Sequence, residues 1–205
     1  PLALGVVIVG PWRGQPDQLE TFRNALKRWH DLTGWPIIAD PLSGITNKQK
    51  GLLLHWEFLL SVGFLNFTEE IQVLRLGPLP SSRELQLWLQ KYKTQLLITE
   101  GDSRKLDPLG VAIQFSEGFS LWSQTFIESL SSKPSFYKNP KIQLLTEKLD
   151  KYDLFIDSWL DRKLSLKGKI TEPSLARWLP RLLPSSVSVM LAASSPIRDW
   201  ITYSG

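Results

Sequence analysis

Cysteine is absent from the chain, so disulfides, thiolate metal sites and a cysteine nucleophile are all excluded. His30 and His55 are the only histidines. Each falls on a predicted helix, and a histidine-based metal site has too few ligands nearby. No G-x-S-x-G elbow occurs, so a serine-hydrolase triad lacks its setting. The dinucleotide fingerprint G-x-G-x-x-G is also missing, and Gly10 and Gly14 read as glycines of a close strand-to-helix turn. No apolar run approaches the roughly 20 residues needed to span a bilayer. The opening Pro1-Leu2-Ala3-Leu4 shows neither the basic region nor the cleavage site of a signal peptide, and initiator methionine is lacking. With no terminal element at Tyr203-Ser204-Gly205, the expectation is a cytoplasmic segment of something longer. Internal repeats and low-complexity tracts are absent too.

What is present suffices for an ordinary core. Hydrophobic residues make up 42% of the 205 and charged residues 21%, enough for one full domain and part of a second. The net charge of +4 comes from 24 Lys and Arg interspersed with 20 acids. The densest basic groups are Lys91/Lys93 and Arg162/Lys163/Lys167/Lys169. They read as a solvated face and not as the clustered stripe that nucleic-acid binding needs.

Taken in order, the chain alternates strands and helices. Gly5 to Gly10 is a β-branched run that reads as a buried strand. Leu19, Phe22, Ala25, Leu26, Trp29 and Leu32 recur at helical spacing over Asp17 to Thr33, with Pro16 and Asp17 in the first turn and Gly34 placed as the stop. Pro36 to Ala39 is the second strand, Leu52 to Phe64 an expected helix, and Ile71 to Leu76 the third strand. Ser81 or Ser82 can cap a helix carrying Leu85, Trp88 and Leu89. Gln95 to Thr99 and Val111 to Phe115 complete about five strands, followed by a helix over Phe119 to Leu130. This spacing predicts an α/β fold with a Rossmann-like, doubly wound parallel sheet flanked by helices.

Ser131 to Asn139 reads as a linker. A long helix is then predicted from Pro140 to about Leu164, with Ile142, Leu145, Leu149, Tyr152, Ile156 and Trp159 as a seam. Docking on the chain's own or a neighbouring domain suits three heptads better than an independent coiled coil. Lys167-Gly168-Lys169 marks a boundary, giving domains 1–165 and 166–205. The second begins as a helix–strand unit of another α/β domain: Thr171-Glu172-Pro173 opens a helix carrying Leu175, Trp178 and Leu182, which Pro180 should kink or shorten. Val187 to Leu191 follows as a strand, then a helix with Arg198.

The sheet's strand ends offer scattered chemistry. Glu100, Asp102 and Asp107 read as turn caps, although such acids can also hold a ribose or a metal. Arg13, Arg75, Arg83 and Arg104 would make an anion pocket if the fold brought them together. No complete catalytic set and no metal set emerges. At the other end, Ala192-Ala193-Ser194-Ser195-Pro196 leads into a helix, where amides and a hydroxyl suit an anion. Arg198 adds a forked cation that matches carboxylate or phosphate.

Several stretches also resemble one family. Gly34-Trp35-Pro36-Ile37-Ile38-Ala39-Asp40-Pro41-Leu42-Ser43 resembles the middle domain of the thiamine-diphosphate enzymes that make 2-succinyl-5-enolpyruvyl-6-hydroxy-3-cyclohexene-1-carboxylate in menaquinone and phylloquinone biosynthesis. Leu74-Arg75-Leu76-Gly77 with Pro80-Ser81, Asp107-Pro108, Glu172 to Arg177, and Ala192 to Asp199 are similar to later parts of the same family, in the same order.

The resemblance implies a synthase that condenses decarboxylated 2-oxoglutarate with isochorismate, using thiamine diphosphate and Mg2+ or Mn2+, as a homodimer or homotetramer. By position, Ser194 would meet the cofactor adduct or substrate and Arg198 a substrate carboxylate. Where the family carries Gly-Asn before the serine, Ala192-Ala193 stand here, so the asparagine amide is missing. The family's activating glutamate and its Gly-Asp-Gly…Asn metal motif have no counterpart in this chain. The segment alone is therefore expected to bind no cofactor and to be inactive. A stand-alone Rossmann-like ligand-binding or regulatory module is the alternative, and an interaction protein built on the helix at 140–164 a third reading.

Overall fold

The run Gly5-Val6-Val7-Ile8-Val9 is apolar on both faces of its pleat, and such a strand needs cover on both sides. In the structure, a computed structural model describing residues 3–131, 139–167, 169–184 and 186–205, this run is strand β1 (Gly5–Val9), with every residue buried. Val6 and Ile8 join one core, Val7 and Val9 the other, as a period of two requires. The remaining elements are α1 (Leu19–Thr33), β2 (Ile37–Ala39), β3 (Leu52–Leu53), α2 (Trp56–Ser61), β4 (Gln72–Leu76), α3 (Arg83–Leu89), β5 (Gln95–Ile98), β6 (Ile113–Phe115), α4 (Phe119–Ser131), α5 (Pro140–Lys163), α6 (Glu172–Leu182) and α7 (Ser195–Tyr203).

The strands form one six-stranded sheet in the order β3-β2-β1-β4-β5-β6, and every pairing is parallel. The chain builds outward from β1 to β3, then returns to lay β4 on the other side of β1. The order therefore reverses between β1 and β4, which makes this the Rossmann-like, doubly wound arrangement. On one face Phe22, Leu26 and Trp29 of α1 meet Phe119 of α4. On the other, Trp56 and Leu59 of α2 join Leu85 and Trp88 of α3.

Helix α5 covers the β3 edge. Ile142 enters the core of Phe22 and Trp29 and Leu149 that of Trp56 and Trp88, with Leu145, Tyr152 and Ile156 packed on the latter. Thr146 donates to the Gly34 carbonyl at 2.7 Å, and the Asp153 carboxylate accepts from the amides of Leu54 and His55. The seam is thus a docking face on the chain's own domain, as its length suggested. Trp159 alone of that seam is largely solvent-facing.

Four expectations change. The sheet has six strands because Leu52 and Leu53, expected in a helix, pair in parallel with Ile37 and Ile38; only Trp56–Ser61 of that apolar run is helical. A short apolar run cannot reveal by periodicity which state its neighbours impose. Val187 to Leu191 is not a strand. No other described strand lies alongside it to pair its backbone groups, and Met190 is 98% exposed. Pro180 does not shorten α6, which runs on to Leu182, because a proline in the final turn forfeits only one intrahelical bond. Finally, His55 lies at the N-cap of α2, outside the helix proper. The linker expected over Ser131 to Asn139 falls largely on residues 132–138, and the boundary glycine is Gly168; both lie outside the described residues.

Candidate functional site

In a doubly wound sheet the usual ligand crevice opens where the strand order reverses, at the carboxyl ends. Here that crevice is lined by Gly10, Trp12, Arg13, Gly77, Thr99 and Glu100, and its volume is only about 20 Å³. A volume of that size holds about one water. Trp12 lines the crevice with its ring tilted against Phe22, the centroids 4.8 Å apart. A nucleotide has no room there.

The acids beside this crevice act as caps. Glu100 accepts from the Phe119 amide at the start of α4, and burial pushes its carboxyl up. Asp102 is paired with the exposed Arg104, whose hydrogen bonds lower it to about 2. Asp107 accepts from the amides of Leu109, Val111 and Ala112 and forms a 2.7 Å ion pair with buried Arg75. The four arginines do not converge: Arg75 lies within the sheet, Arg104 pairs locally, and Arg13 and Arg83 are exposed. Among the described residues no cluster of three metal-ligating side chains occurs, and no helix is long and apolar enough to cross a membrane.

A denser polar assembly sits where α6 and α7 meet the sheet domain. Asp153, Asp157 and Asp161 recur every fourth residue on α5, and Arg177 and Arg181 do the same on α6. Arg177 is fully buried. Its Nε donates to Asp161 at 2.9 Å, its Nη2 to both Asp161 and Asp157, and its Nη1 to the Tyr203 carbonyl of α7 at 3.2 Å. Arg181 repeats the contacts with Asp157 and Asp161 from the surface and lies over the Trp178 ring. His55 is buried and donates from Nε2 to Asp157 at 3.0 Å. Reading for apolar periodicity passes over these residues. The matched i, i+4 spacing of acids on one helix and arginines on another was the available signal.

Two acids of that stripe end on opposite sides of the usual carboxyl value. Burial pushes Asp157 up, but the bonds from His55 and Arg177 outweigh it and hold the carboxyl below its usual 3.8. Burial also pushes Asp153 up, and there the amides of His55 and Leu54 do not compensate. A depressed carboxyl contributes stability that is present above 3.8 and lost as pH falls through its folded value. Asp157→Asn should therefore cost about 2 kcal/mol at neutral pH and less at pH 3 than at pH 7, as thermal melts across that range would record. A loss that stays constant down to pH 3 would contradict this.

The residues expected to bind substrate lie on α7. Ser194 is the N-cap, is exposed, and its hydroxyl makes no capping bond. Arg198, one turn on, is exposed and forms no ion pair among the described residues. The amides of Ser195 and Ile197 have no helical carbonyl behind them. The C-terminal half of α7 is anchored: Ile201 is buried, Thr202 donates to Glu57 at 2.6 Å, and Tyr203 stands edge-on to Phe58. Ser194 and Arg198 thus stand one turn apart at an exposed helix end, and no ligand set for a metal occurs there among the described residues.

No family model matches the chain. Among curated proteins, it is 60% identical over 206 residues to the 2-succinyl-5-enolpyruvyl-6-hydroxy-3-cyclohexene-1-carboxylate synthase of Prochlorococcus marinus strain NATL1A, covering 100% of this chain and 34% of that protein. It is 49% identical to the synthase of the same name from strain MIT 9303, over 99% of this chain and 35% of that protein. The Synechococcus sp. strain CC9605 synthase is 46% identical over 98% of this chain and 33% of its own length. The chain therefore spans about a third of the length of the curated relatives it matches. Identity at this level from end to end means that the chain belongs to the 2-succinyl-5-enolpyruvyl-6-hydroxy-3-cyclohexene-1-carboxylate synthases, as a stretch of about a third of their length.

Proposed function

We propose that the chain is the central domain, residues 1–165, and the opening of the next domain, residues 166–205, of a synthase that condenses decarboxylated 2-oxoglutarate with isochorismate. The observation that carries this reading is the 60% identity over the entire chain to a synthase named for that product. Thiamine diphosphate, held with Mg2+ or Mn2+ elsewhere in the full-length enzyme, would supply the carbanion chemistry. This chain's part is orientation. Arg198 would grip a substrate carboxylate with its planar fork, and Ser194 would offer a hydroxyl beside it. Ala193 leaves the serine without the neighbouring amide of its family, so the amides of Ser195 and Ile197 would carry more of the polar contact. The segment alone lacks the remaining parts of such a site and is expected to be inactive. The closed crevice between β1 and β4 argues against the stand-alone ligand module.

The test uses the full-length synthase. Arg198→Ala should raise the KM of one carboxylate substrate about 10- to 100-fold, the equivalent of losing a hydrogen bond to a charged group at about 1.5–3 kcal/mol. Arg198→Lys should recover only part of that, because an ammonium does not reproduce the fork. A purified full-length enzyme that makes no product from these two substrates would end the reading. Unchanged kinetics of Arg198→Ala would remove the site assignment alone.

A further inference from the structure

The Arg177 assembly has a geometry that ordinary helix packing does not require. Arg177, carried by α6, joins two further elements at once: two acids of α5 and the Tyr203 carbonyl that ends α7. The Tyr203 carbonyl lies at the C-terminal end of α7, where the helix carries its partial negative charge. The cation therefore faces two carboxylates on one side and a helix terminus on the other. α5 is in turn tied to the sheet, because Asp153 caps the amides of Leu54 and His55 that follow β3. A continuous chain of charge-assisted bonds runs from the sheet edge, through α5 and Arg177, to the helix that bears Ser194 and Arg198.

We propose that Arg177 is a positioning residue: it clamps the C-terminal end of α7 to α5 and so sets where Ser194 and Arg198 stand relative to the sheet domain. The proposal rests on the functional reading above for the chemistry it serves, but the clamp itself is a structural claim. Lysine cannot replace it. A single ammonium donates along three directions from one point, whereas the partners of Arg177 are spread along the whole fork. Arg181, on the surface one turn later, shares the same carboxylates and bonds none of α7's carbonyls. It is the natural control.

Two measurements on the full-length synthase test this. In hydrogen exchange, Arg177→Lys should speed exchange across residues 195–203 at least 10-fold and leave β1 and β4 protected, while Arg181→Lys should change it less than 3-fold. In steady-state kinetics, Arg177→Lys should raise the KM of the substrate that Arg198 binds about 10-fold, with kcat within 3-fold. The double variant with Arg198→Ala should then be no worse than Arg198→Ala alone, since both act through the same contact. Unchanged exchange over 195–203 overturns the clamp, as does a double variant whose KM effects multiply. Faster exchange in a protein without synthase activity would uphold the clamp and remove the function assigned to Ser194 and Arg198.

Discussion

Asp107→Asn is expected to destabilise the 205-residue chain by about 3–5 kcal/mol at neutral pH, the cost of stripping a buried charge of its counter-ion. Arg75 is 1% exposed. Its Nη1 bonds Asp107 at 2.7 Å and Gln95 at 3.2 Å, while its Nε and Nη2 find no partner among the described residues. The carboxylate has no spare oxygen. One takes Arg75 and the Leu109 amide, the other the amides of Val111 and Ala112. Asparagine keeps the shape but turns one of those oxygens into a donor that faces donors. The loss would be about a fifth or more of the stability of an ordinary domain, and a urea midpoint would register it directly. A decrease under about 1 kcal/mol would show that Arg75 does not depend on Asp107. Adding Arg75→Met to Asp107→Asn should restore more than half of the loss, because an apolar pair leaves no buried charge behind. The sign with pH is fixed as well. Burial pushes the Asp107 carboxyl up, but the Ala112 amide and Arg75 outweigh it and hold it below 3.8. Its contribution is therefore present above that value and lost as pH falls through the folded one, so the variant and parent should converge in acid.

This pair also marks the division between what the sequence made legible and what it did not. Strands β1, β2, β4, β5 and β6 were readable because each is a short β-branched or aliphatic run bounded by turn residues. α1 was readable because its apolar residues fall every third or fourth position and Gly34 stops it at φ 70°. β3 was not, because two leucines at the head of an apolar run acquire their state from Ile37 and Ile38 alongside. Val187 to Leu191 failed for the converse reason: a good strand sequence stays irregular without a partner. Ser194 and Arg198 were visible as residue types on a predicted helix start, and their common exposure is a matter of which face of α7 packs on α2. Arg177, Asp157 and Asp161 left only their matched i, i+4 spacing as a signal. Their pairing depends on how α6 lies across α5, which no reading within one helix encodes.

The same dependence on close approach governs the other large effect expected. Gly10 has no positive φ, so its role is not conformational freedom. It is space. A β-carbon built there would overlap the Pro78 carbonyl oxygen outright and lie 2.6 Å from the carbonyl carbon, both of them backbone atoms. Gly10 also donates to the Leu76 carbonyl at 2.9 Å, holding the loops after β1 and β4 together at the point where the strand order reverses. An added methyl cannot be absorbed by a side-chain rotation, so the two loops must part. Gly10→Ala is therefore expected to cost about 3 kcal/mol or more, the upper end of overpacking penalties, measured by the urea midpoint of the same chain. Gly110→Ala provides the contrast. That position has φ +66° and nothing within 4 Å of the added carbon, so it should lose only the 1–2 kcal/mol or so of a left-handed residue. If Gly10→Ala proved as mild as Gly110→Ala, the loops at the switch point would be free to move apart. The closed crevice beneath Trp12 would then be one that a ligand could open. A severe loss at Gly10 means that the crevice is held shut by the backbone itself.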